Sequence, residues 1–165
     1  MNATLEEIVA ALDDRDHQRL IEFGDLPRYM AQFDAIMKDG SQSGEALHAS
    51  GFPYLGVLES AQWTDADADR LKSALMNYAA SQEGRFVPQA LWALGYFFDP
   101  DLIGFLKAQL ERHLSCGPSS RDALGQCIIA LSTIGEDILS DGSFWAGDHQ
   151  KNAEMARNYL DKNQQ

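Results

Sequence analysis

Basic residues are scarce in this chain: 13 Lys and Arg stand against 25 Asp and Glu, a net charge of −12 over 165 residues. A field of that sign repels phosphate backbones and anionic headgroups, which argues against nucleic-acid and membrane-surface roles. Apolar runs are short as well. None approaches the ~20 residues that cross a bilayer, and the opening Met1-Asn2-Ala3-Thr4 lacks the basic-then-apolar order of a secretory signal. A cytoplasmic protein is therefore expected. Cysteine is limited to Cys116 and Cys127, on either side of a Gly117-Pro118 break. A disulfide between them is geometrically open, but buried or half-buried free thiols are expected for that compartment. Also missing are alternating β-branched stretches between turn signals, a phosphate-cradling glycine loop and a dinucleotide fingerprint.

What is present reads as one all-α domain over 1–165, with 45% apolar residues to build a core. The acidity is uneven. Residues 1–69 carry 14 Asp and Glu against 4 Lys and Arg, whereas residues 70–165 carry 11 against 9. Thr4 with Glu7 forms a capping box ahead of Leu5, Ile8, Val9 and Leu12. A second helix covers 17–23 and stops at Gly24. Asp25 and Pro27 open a third, with Met30, Phe33, Ile36 and Met37 on one face and Gly40 beyond its end. These make up an acidic N-terminal helical region, 1–40. Residues 41–51 read as a loop with one helical turn at 45–49.

From Phe52 the pattern becomes regular. Pro53 starts a short helix through Leu55, Val57 and Leu58, and Thr64 caps a long one in which Ala68, Leu71, Leu75 and Tyr78 align; Gly84 ends it. Pro88 begins a helix carrying Ala90, Leu91, Leu94 and Phe97. Asp99-Pro100 breaks it and caps the next, which turns Leu102, Phe105, Leu106, Leu110 and Leu114 inward. After Gly117-Pro118, Ser120 caps a helix through Leu124, Cys127, Ile128, Leu131 and Ile134. A loop over 141–147 leads to a last helix ending near Leu160.

Spacing repeats along this stretch. Pro53 and Pro88 are 35 residues apart, as are Thr64 and Asp99, while Ala90-Leu91-Trp92-Ala93-Leu94 precedes Cys127-Ile128-Ile129-Ala130-Leu131 by 37. A hairpin of that size cannot bury its apolar face alone, so neighbours must stack. Arg85, Ala90, Ala93-Leu94-Gly95, Asp99-Pro100, Leu102 and Leu106 resemble the HEAT-like repeat pattern, in which a first helix with small residues meets a second across an Asp-Pro turn. Arg121, Ala130-Leu131, Gly135-Glu136-Asp137 and Leu139 resemble a degenerate copy without the proline. The resemblance implies a short right-handed stack of antiparallel helix pairs, three hairpins over 52–162 in a protein of about seven to nine helices, and no particular chemistry.

Candidate sites are few. Asp65-Ala66-Asp67-Ala68-Asp69 opens like a calcium-binding EF-hand loop, but Arg70 stands where the turn needs glycine and Met76 where a bidentate Glu is required. An acidic first helical turn explains it better. His113, Cys116 and Cys127, with His149, supply zinc-ligand chemistry but no second closely spaced pair, and Cys127 lies on a core stripe. A cysteine nucleophile would need a nearby base, and nothing local supplies one. The adjacent pairs Asp13-Asp14 and Glu136-Asp137 read as solvated charge. No metal, cofactor or catalytic residue is expected.

Aromatics remain. Trp63, Trp92, Tyr96, Phe97, Phe98, Phe144 and Trp145 gather near helix ends and turns. Leu94 and Phe97 already supply the inward stripe of their helix, leaving Trp92, Tyr96 and one of Phe97 or Phe98 less obvious destinations. Aromatic anchors with an acidic rim suit a protein-binding surface. The expectation is a non-catalytic binding module for a basic protein partner, with Asp65, Asp67, Asp69, Asp99 and Asp101 steering and Trp63, Trp92, Tyr96, Phe144 and Trp145 anchoring. In type it resembles bacterial immunity proteins, which cover the active surface of a cognate toxin. The alternatives are an adaptor or regulatory subunit of a larger complex, and an enzyme or zinc protein built on His113, Cys116 and Cys127.

Overall fold

Apolar residues three and four apart, broken by Gly, Pro and Asp at the turns, make helices and nothing else. The computed structural model describes residues 5–24, 65–81, 86–95, 97–139 and 148–164, and among these there are seven α-helices and no strand. No helix among them is long and apolar enough to cross a membrane. The helices expected over 25–40 and 53–58, the Thr4 and Thr64 caps and the Gly84 stop lie outside the described residues. The chain divides into two compact units, Met1–Arg85 and Phe86–Gln165.

In the first unit, α1 (Leu5–Asp13) buries Leu5, Ile8, Ala11 and Leu12 on one stripe. It ends in a reversal at Arg15, whose φ of +53° lets the Asp16 N–H reach back to the Ala11 carbonyl at 2.9 Å. Asp16 then caps α2 (His17–Gly24) by accepting the Arg19 N–H at 3.2 Å. α3 (Asp65–Ala79) packs against α1, with Leu71, Ala74, Leu75, Tyr78 and Ala79 buried. The His17 ring meets Tyr78 edge-on, 6.3 Å between centroids. Arg70 reaches Glu6 at 3.1 Å across the α1–α3 seam. Both side chains are exposed, so the pair contributes little to stability.

The second unit is organised around α6 (Arg121–Ile134), in which every residue from 123 to 131 is buried. A helix covered all round needs neighbours on several sides. It has three: α4 (Val87–Gly95), α5 (Ile103–Ser115) and α7 (His149–Lys162), and α7 also meets α5. The largest of these contacts is α4 on α6. It is close because Gly95 faces Ala130. A Cβ on Gly95 would lie 3.0 Å from the Ala130 Cα. A small residue at the end of α4 therefore meets a small residue of α6.

Turn chemistry fixes the corners. The Asp99 carboxylate accepts the Asp101 N–H at 2.9 Å and starts a 3-10 turn, Pro100–Leu102, that runs into α5. At the far end of α6, Gly135 takes φ +112°, and its N–H and that of Glu136 return to the Ser132 and Leu131 carbonyls, both at 3.0 Å. This glycine-terminated reversal satisfies the last carbonyls of α6. Asp148 caps α7 by accepting the Lys151 N–H at 3.1 Å.

Several local expectations need correction. Helix α4 stops at Gly95, so Phe97 lies beyond it, half-buried, and does not extend the inward stripe. On α5 the buried face is Leu106, Gln109, Leu110 and His113, while Phe105 and Leu114 are half-buried. Ser120 makes no cap bond. It closes a 3-10 turn, Gly117–Ser120, and its hydroxyl sits 3.4 Å from His113 Nδ1 instead. The final helix runs to Lys162, two residues past Leu160.

Candidate protein-binding surface

The Asp99-Pro100 corner carries the most conspicuous side chain of the second unit. Among the described residues Phe98 is the exposed large hydrophobic, at 44% of its full surface. Its φ is +50°, a region that costs a bulky residue on the order of 1–3 kcal/mol. The corner is held from both sides. The Phe98 N–H donates to the Gly95 carbonyl at 3.3 Å, and Asp99 is committed to its cap. Asp101 is exposed beside it. The result is an exposed aromatic ring at a hydrogen-bonded turn, with two carboxylates within the next three residues.

Other expected binding residues fall elsewhere. Trp92 is buried, 5% exposed, and leaves the anchor set, because α4 is covered on nearly every face. Asp69 is exposed but pairs with Lys72 at 3.2 Å, which offsets part of its charge. Asp65 and Asp67 belong to α3, their side chains outside the described residues. Trp63, Tyr96, Phe144 and Trp145 also lie outside them.

The three residues with zinc or nucleophile chemistry do not form a centre. Among the described residues no three His, Cys, Asp or Glu side chains converge as metal ligands. His113 is buried, and desolvation, helped by the neighbouring Arg112 charge, lowers its pKa from 6.5 to about 4. Cys127 is fully enclosed in α6, and that burial pushes its thiol pKa far up, so it stays protonated. Cys116 is a free thiol and exposed, contrary to the expected partial burial, because it sits at the C-terminal edge of α5 just before the Gly117 turn.

A second feature escaped the sequence. Glu136, read as solvated charge, accepts the Tyr159 hydroxyl at 2.6 Å and lies 3.8 Å from Lys107 Nζ. Lys107 in turn sits 5.4 Å above the Tyr159 ring and donates to the Asn163 side-chain oxygen at 3.5 Å. Burial, and then the Glu136 hydrogen bond and charge, raise the Tyr159 pKa, so the phenol remains a donor. The network ties α5, the end of α6 and the last turn of α7 together. Beside it opens a cleft of about 310 Å³, lined by Ile138, Leu139 and Met155 together with Asp137, Asp161 and Lys162. No spacing rule announces it, since Lys107, Glu136 and Tyr159 come from three separate elements.

Comparison of the chain with protein-family models, with curated proteins and with solved structures returns no match.

Proposed function

We propose that this chain is a protein-binding module for a basic partner, of the kind that neutralises a toxin by covering its active surface. The observation that carries the reading is the Phe98 corner: an exposed aromatic held at positive φ, followed directly by Asp99 and the exposed Asp101, in a chain of net charge −12. Strained, solvent-facing aromatics that the surrounding structure over-determines are a mark of functional positions. A ring that leaves water on docking supplies an anchor, and the nearby carboxylates steer and orient a positively charged surface. The repeats then act as frame. The contacts of α4 with α6 and of α5 with α7 join each helix to the next but one, which is how hairpins stack in a HEAT-like array. Against it, α4 and α5, the two helices of the best repeat, scarcely pack on each other, and each packs chiefly on α6.

The test uses the partner recovered from the source cell by cross-linking and identified by mass spectrometry. Phe98→Ala is expected to weaken its affinity about thirtyfold or more, the effect of a hot-spot aromatic. If the partner is a toxin, a stoichiometric amount of the wild-type chain abolishes its activity and the variant does not. Unchanged affinity in Phe98→Ala would remove the corner from the interface.

A further inference from the structure

Beyond the Phe98 corner, the cleft at the end of α7 has the chemistry of a pocket for one cationic side chain. Its lining combines apolar Ile138, Leu139 and Met155 with Asn158, Tyr159 and the carboxylates of Asp137 and Asp161. Both Asp side chains are exposed. Nearby Glu136 is committed to Tyr159 and Lys107. The cleft also sits against the last turn of α7, where the helix dipole is negative and cations are stabilised. Lys162 borders the same space and opposes a second cation, but two carboxylates outweigh it.

We propose that this cleft receives an arginine or lysine side chain of the protein partner, the methylene stem against Ile138, Leu139 and Met155 and the charged head between Asp137 and Asp161. The volume of about 310 Å³ is at the small end of ligand sites, which suits one long side chain rather than a cofactor. Long basic side chains routinely lay an apolar stem on hydrophobic surface while the head stays with carboxylates or water. The proposal rests on the reading of a basic partner. It adds a second contact point, separate from Phe98, and it identifies what that point recognises.

The cleft is testable without the partner. Nα-acetyl-arginine methylamide and Nα-acetyl-lysine methylamide are titrated into the full chain, with Nα-acetyl-norleucine methylamide as the uncharged control, and amide shifts are followed by NMR. At least one cationic probe is expected to bind weakly and to shift amides over 137–139 and 158–162, while the control leaves them unmoved. The double variant Asp137→Asn/Asp161→Asn abolishes those shifts. Lys162→Gln strengthens binding about two- to fivefold by removing the competing charge. All three substituted side chains border an open cleft, so the variants keep their fold, which circular dichroism verifies.

Three results would overturn the proposal: no saturable shift with either cation, shifts that survive the double variant, or equal binding of norleucine. None of these touches the Phe98 test, and loss of affinity in Phe98→Ala alone leaves the cleft result standing. The two readings therefore fail separately.

Discussion

Replacing Gly95 by alanine tests the close approach of α4 to α6. A Cβ there meets the Ala130 Cα at 3.0 Å, its Cβ at 3.3 Å and its carbonyl oxygen at 3.5 Å. The nearest of these is backbone, so α4 and α6 must move apart rather than a side chain rotate. Overpacking of this sort costs about 1–3 kcal/mol. Alanine recovers part of that through helix propensity, but Gly95 is the last residue of α4, where the gain is small. The net loss is about 1–2 kcal/mol. With a urea slope of roughly 2 kcal/mol per molar, the midpoint falls by about half a molar to one molar. Gly104 is the matched control, since nothing lies within 4 Å of its added Cβ. There the same substitution is neutral or stabilises by up to about 0.5 kcal/mol. Adding Ala130→Gly to Gly95→Ala removes the contact with the Ala130 Cβ but not that with its Cα, so the pair is less than additive by a few tenths of a kcal/mol. Urea denaturation followed by far-ultraviolet circular dichroism, with hydrogen exchange at α4 and α6 amides, reads all four proteins. Gly95→Ala at wild-type stability, with an unchanged slope, would refute the close α4–α6 approach.

Other consequences are as direct. His113 is neutral in the fold with a pKa lowered to about 4, whereas in the unfolded chain it takes up a proton near its usual 6.5. Stability is therefore flat with respect to this group above pH 6.5 and falls as pH drops from 6.5 towards 4, by on the order of 2–3 kcal/mol; His113→Gln flattens that slope in urea midpoints measured against pH. Tyr159→Phe removes the 2.6 Å hydrogen bond to Glu136. Because Glu136 keeps Lys107 and some water, the cost is about 1–2 kcal/mol, read as a lowered midpoint. A thiol reagent added to native protein labels Cys116 at once and Cys127 only on unfolding, since the first is exposed and the second enclosed. Two fast thiols would contradict the burial of α6.

Helices were readable where a turn residue and a periodic stripe agree. Asp99 before Pro100 marks a cap, and the carboxylate makes it. Reading fails where polar residues go inside. The inward face of α5 includes Gln109 and His113, so a purely apolar stripe displaces it onto Phe105 and Leu114. Trp92 misleads for the opposite reason: α4 is short and covered on nearly every side, which leaves no outer face for it. Of the candidate surface, the sequence points to Asp99 and Asp101 but does not name Phe98 as an anchor. It does not reveal that Phe98 takes the positive φ, which depends on where α4 stops. The α7 cleft is invisible in one dimension, because residues 137–139 meet the far end of α7 only after the helices have packed.

The central claim is that an acidic surface draws in a basic protein, and the rate of that encounter tests it most directly. Stopped-flow association of this chain with its purified partner, measured from low to physiological salt and beyond, is expected to slow by one or more orders of magnitude as ionic strength rises, with dissociation changing far less. Asp101→Asn shallows the dependence. An association rate indifferent to salt would contradict the account.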